Sequence, residues 1–134
     1  RFLYVSCWGT GEFHQYDVSD PLSPKLTGKV RLGGIVSRAS HPAKQDTPLN
    51  GAPQMVEISR DGKRVYFTNS LYGAWDDQFY PDGVDGWMVK LDVDTKNGGM
   101  TLDENFFLEW PKDHRPHQIR LEGGDYSSDS YCYP

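Results

Sequence analysis

Short apolar runs broken by Gly, Pro, Asn and Asp set the pattern of this chain. Phe2 to Trp8 is nearly continuous and stops at Gly9-Thr10-Gly11. Glu12 to Val18 alternates, with Phe13, Gln15 and Asp17 on one face and His14, Tyr16 and Val18 on the other. Ser19-Asp20-Pro21 ends that strand, and Lys25 to Leu32 reads as the next. Gly51 to Ser70 then holds two β-prone runs around Arg60-Asp61-Gly62-Lys63, a hairpin signal because the tight turn needs a positive φ that Gly supplies. Trp87 to Asp94, Met100 to Trp110 and His117 to Glu122 complete the predicted strands. Gly33 to Asn50 and Leu71 to Gly86 read as long loops, the kind that carry function. No stretch of useful length has a helical period.

The strands recur. Arg1-Phe2-Leu3-Tyr4-Val5 resembles Arg64-Val65-Tyr66-Phe67, and Pro53-Gln54-Met55-Val56-Glu57-Ile58 resembles Pro116-His117-Gln118-Ile119-Arg120-Leu121; both matches lie 63 residues apart. A repeat of short strands predicts an all-β partial β-propeller. Residues 1–32 would end one blade, 53–110 would form a complete blade, and 116–134 would start the next. A β-sandwich explains the strand count nearly as well, but not the shared offset.

The 134 residues start at Arg1, inside a strand-like run, which predicts a piece of a longer chain. No apolar run approaches the ~20 residues of a membrane span. A net charge of −5 without a block of like charge argues against a nucleic-acid surface. Cys7 and Cys132 form neither a disulfide framework nor a CxxC metal motif and read as ordinary buried thiols.

His117 is the leading candidate for chemistry. It opens a strand that would be the first of a blade, and first strands line a propeller's central channel. Its imidazole would therefore face the axis, as a metal ligand or as a channel-lining group bonded to water. His114 precedes it in Asp113-His114-Arg115-Pro116-His117, where Pro116 rules out a shared helical face. It is a ligand, a proton relay or a plain loop residue. His41, in a long loop, could reach the channel mouth as a further metal ligand, whereas His14 fits strand packing. Asp76 could orient a ligand histidine or act as a general base; an Asx turn or an Arg pair is the alternative. Glu57 and Arg120 read as a blade-to-blade ion pair, and Lys25, Lys29 and Arg31 as one solvated face.

Several runs resemble the selenium-binding protein family, which includes the methanethiol oxidases. They are Gln15-Tyr16-Asp17-Val18-Ser19-Asp20-Pro21, Gly51-Ala52-Pro53-Gln54-Met55 and Ser59-Arg60-Asp61-Gly62-Lys63-Arg64-Val65-Tyr66. With them go Ser70-Leu71-Tyr72-Gly73-Ala74-Trp75-Asp76, Gln78-Phe79-Tyr80-Pro81, Leu91-Asp92-Val93-Asp94, Gly123-Gly124-Asp125 and Ser127-Ser128-Asp129. The resemblance implies a seven-bladed β-propeller, of which this chain would supply the C-terminal portion. It implies copper as cofactor, with His117 joining histidines from other blades. It also implies oxidation of methanethiol by O2 and water to formaldehyde, hydrogen sulfide and hydrogen peroxide, so a small thiol and O2 would be the partners. A propeller that binds selenium or serves as a scaffold, without catalysis, is the alternative. Bacterial relatives imply a periplasmic location; animal, plant and archaeal relatives imply a cytoplasmic one. Tyr126 stands where the family pattern carries Cys, so no thiol role transfers to that position.

Overall fold

The computed structural model describes residues 1–36, 38–69 and 72–119. β1 (Phe2–Cys7), β2 (Glu12–Asp17) and β3 (Lys25–Arg31) form one antiparallel sheet in chain order. β4 (Val56–Ile58), β5 (Arg64–Thr68), β6 (Gly86–Val93) and β7 (Met100–Trp110) form a second, also in chain order. The protein is thus mainly β, as the alternation and turn signals predict.

The turn of the β4–β5 hairpin closes as expected. Gly62 takes φ 70°, its N–H reaches the Ser59 carbonyl at 2.8 Å, and Asp61 accepts from the Lys63 N–H at 3.0 Å. Ladder pairing in β4 starts at Val56. Ahead of it the Gln54 N–H still reaches the Thr68 carbonyl at 2.8 Å.

The two sheets pack face to face. Phe13 and Leu32 from the first sheet and its exit meet Val65, Phe67, Trp87, Val89 and Leu91 of the second, all buried. Phe13 stacks on Phe67 with centroids 4.7 Å apart, and Trp87 meets Phe67 edge-on. A polar side chain crosses this apolar contact. Gln15, fully buried, accepts from the Gly99 N–H at 2.7 Å and the Thr27 hydroxyl at 2.8 Å, and donates to the Tyr4 hydroxyl. On the far side of the second sheet a smaller cluster joins Tyr66 and Ile119 with Met88 and Phe106.

Three expectations change. Within the predicted loop 71–86 lies a helix, α1 (Gly73–Phe79). Periodicity could not show it, because its buried member is Asp76 while Trp75 and Phe79 are exposed. The basic residues of β3 are not simply solvated: Lys29 and Arg31 hold Glu12 at 3.3 and 2.5 Å, and His14 joins them at 3.0 Å. The predicted strand 117–122 is described only as far as Ile119, and that part is not a strand. Arg120, Tyr126 and Cys132 lie outside the described residues. Among those described, no helix is long and apolar enough to cross a membrane.

Candidate functional site

The sequence candidates separate into two places. His41 lies under the outer strand β7, fully buried and stacked on Phe107 with centroids 4.9 Å apart. Its Nδ1 accepts from the Ala43 N–H at 3.0 Å, and its carbonyl accepts from Lys44. Burial pushes its pKa below the usual imidazole value, with Asp103 and Glu104 pulling partly the other way. Such an imidazole is held neutral inside a packed loop.

Asp76, His114 and His117 gather instead at the end of the second sheet where β5 finishes and β6 begins. α1 covers that end, and Trp8, just past β1, packs edge-on against Phe79 at 5.3 Å, so both sheets contribute to it. Asn69, fully buried after β5, fixes the loop before β6. Its amide donates to the carbonyls of Asn50 and Asp85 and accepts from the Trp87 N–H at 2.8 Å. Asn50 holds the same loop through the Asp85 N–H and the Gly83 carbonyl.

Against this frame runs the segment from Pro111 to Ile119. Arg115 is its anchor: Nη1 donates to the carbonyls of Val84 at 2.6 Å and Lys112 at 3.0 Å. Its Nε lies 3.9 Å from the fully buried carboxylate of Asp76, and Nη2 lies 3.8 Å from Asp77. Pro116 lies against Gly86 so closely that a Cβ there would stand 2.5 Å from its Cδ. The Thr68 hydroxyl donates to the His117 carbonyl at 3.3 Å. His117 is exposed, as is His114, whose Nδ1 pairs with Asp113 at 2.7 Å.

Three buried polar atoms at this end have no hydrogen-bond partner among the described residues, Trp8 Nε1, Gln54 Oε1 and the Tyr80 hydroxyl. Burial pushes the Tyr80 pKa up to about 12, and the Arg38 guanidinium over its ring offsets only part of this. Sequence reasoning missed Arg115, Tyr80 and Asn69. The one local signal was an Arg between two histidines and beside a Pro, which does not say that its partner lies on α1. Among the described residues, no three His, Cys, Asp or Glu side chains converge as a metal cage.

Comparison with known proteins adds to this geometry. The family model for the 56 kDa selenium binding protein matches residues 1–132. The chain is 43% identical to the methanethiol oxidases of Rattus norvegicus and Homo sapiens, over 96% of its length. It is 39% identical to Selenium-binding protein 3 of Arabidopsis thaliana, also over 96% of its length. It spans 32% of the rat and human proteins and 31% of the plant one. An X-ray structure of a hypothetical selenium-binding protein from Sulfolobus tokodaii matches it at 62% identity with a TM-score of 0.87, covering 99% of this chain and 28% of that one.

Proposed function

This chain belongs to the 56 kDa selenium-binding protein family, and on that premise we propose that it is one section of a copper-dependent methanethiol oxidase. In this reading the four-stranded sheet is one blade of a seven-bladed propeller and the three-stranded sheet is part of the blade before it. Strictly sequential antiparallel order and the 63-residue offset support that arrangement, while the face-to-face packing fits it and a β-sandwich alike. The observation that carries the activity is the 43% identity with methanethiol oxidases across 96% of the chain.

The residues present suit copper in kind. His117 offers an exposed imidazole, a donor type that copper accepts, at an end of the sheets where buried polar atoms lack partners among the described residues. It would be one ligand, the others coming from parts of a longer protein. Bound copper would supply an electron acceptor with affinity for sulfur. The reaction turns methanethiol, O2 and water into formaldehyde, hydrogen sulfide and hydrogen peroxide, so a proton must leave carbon. His114 is suited to accept that proton, because it is exposed and the Asp113 carboxylate 2.7 Å from its Nδ1 would stabilise the imidazolium that forms. α1 and the Asn69-braced loop keep this end of the sheets covered.

Copper content and hydrogen sulfide release of the full-length protein test the reading, repeated with His117→Ala. Loss of both supports it; unchanged copper and turnover remove His117 from the site. A second reading, a selenium-binding protein without catalysis, is favoured by the names of two relatives, Selenium-binding protein 2 of Mus musculus at 43% identity and the Arabidopsis thaliana protein. Absence of turnover in the copper-loaded full-length protein would select it.

A further inference from the structure

We infer that Arg115 and Asp76 form a brace that positions His117, so that Asp76 acts on the site through a guanidinium rather than as a proton acceptor. The inference rests on the reading of His117 as a metal ligand, and its test separates the two.

The segment His114–Ile119 belongs to no strand or helix, so nothing in a regular ladder fixes the backbone that carries His117. Holding an irregular residue in one conformation requires contacts that offset its lost freedom. The structure supplies them around Arg115. Its Nη1 bonds to Val84 on one side and Lys112 on the other, tying the segment to the loop before β6 and to its own start. Pro116 adds a fixed φ and sits against Gly86, where even a methyl group would collide. Thr68, itself buried, holds the His117 carbonyl.

Asp76 explains why the guanidinium stays in place. Its carboxylate is fully buried, and burying a charge is tolerated when a partner of opposite sign faces it. Arg115 is that partner, with only about a quarter of its side chain exposed at 26%. Among the described residues Asp76 has no exposed surface, whereas His114 is exposed and so is the better placed of the two to meet a substrate. The planar fork matters as well as the charge, because one end of it reaches two carbonyls while the other faces the carboxylates of α1.

The test uses the full-length protein loaded with copper, read by copper affinity and by the electron paramagnetic resonance spectrum of the oxidised metal. Arg115→Ala and Arg115→Lys should each weaken copper binding ~10- to 100-fold, the usual effect of losing a group that orients a ligand. Both should change the copper hyperfine splitting. Asp76→Asn should do the same while leaving the pH profile of turnover unshifted, since no catalytic base is lost. Thr68→Val removes the separate bond to the His117 carbonyl and leaves the buried charge pair intact, so it should shift the spectrum less than Asp76→Asn. Asp76→Asn, which keeps the shape of the side chain and removes its charge, decides the matter if the Arg115 variants fail to fold. Wild-type affinity and spectra in the Arg115 and Asp76 variants, with copper lost in His117→Ala, would overturn the brace and leave the copper reading standing. Copper retained in His117→Ala overturns both.

Discussion

Gln15→Leu tests whether the two sheets are joined as described, independently of any chemistry. Gln15 is the polar group that crosses the buried contact, and its three hydrogen bonds do not have equal value. The Thr27 hydroxyl keeps a second acceptor, the Gln15 main-chain carbonyl at 3.2 Å, which leucine preserves. Tyr4 is half-buried, so water can replace its lost partner. The Gly99 N–H points at the fully buried Gln15 side chain, so leucine would face it with apolar atoms, and an amide left without its partner costs about 1–3 kcal/mol. Leucine returns about 1 kcal/mol through added apolar burial. The net expectation is a global loss of about 0–2 kcal/mol, with the lost protection concentrated at the turn before β7, where the hydrogen bond itself is removed. Amide hydrogen exchange in the full-length protein reads it directly, since Gly99 should exchange roughly 5- to 30-fold faster. Tyr4→Phe is the control and should change exchange there much less. Unchanged protection of Gly99 in Gln15→Leu, or an equal effect in Tyr4→Phe, would refute the assignment of Gln15 as the link.

Two further outcomes follow from the same contacts. Gly86→Ala places a methyl 2.5 Å from Pro116 Cδ and 2.8 Å from the His114 carbonyl, neither of which is the free end of a side chain. The segment must shift, so the full-length variant should lose about 1–3 kcal/mol in thermal unfolding and bind less copper; wild-type behaviour in both would show that the segment does not pack there. His41 titrates with a depressed pKa because of burial, so the unfolded chain, near 6.5, takes up the proton first. Its contribution is therefore complete above pH 6.5 and falls as the pH drops toward the lowered folded value. His41→Phe keeps the stacking on Phe107, so melting compared at about pH 7.5 and about pH 5.5 should show a smaller acid loss than wild type, with copper content unchanged.

How much of this was legible depends on the range of the interactions. The seven described strands are short-range objects: alternation sets the faces of β2, and Asp61-Gly62 sets the β4–β5 turn, so both can be read from neighbouring residues. α1 escaped for a physical reason. Hydrophobic periodicity finds a helix by its apolar core face, and this helix turns Asp76 inward and Trp75 outward. Lys29 and Arg31 look like a solvated stripe until β2 brings Glu12 between them. His41 reads from the sequence as a residue of a loop mouth, yet an imidazole stacked on Phe107 is part of the packing under β7.

The site itself is legible in part and for the same reason. Asp76, His114 and His117 could be singled out because each is a chemistry-bearing residue beside a turn signal, but nothing local says that Asp76 faces the segment leading to His117. That relation spans 39 positions and is carried by Arg115, whose partners are main-chain carbonyls and carboxylates of α1 rather than a sequence motif. If a ligand's orientation is set by such a brace, a search for histidine spacings will find the ligand and miss what aims it. The glycine at 86 belongs to the same account. Its φ is ordinary, so no turn demands it; the close approach of Pro116 does. A glycine without a positive φ, next to the end of an irregular segment that carries a candidate ligand, is therefore a packing signal that points back to the site.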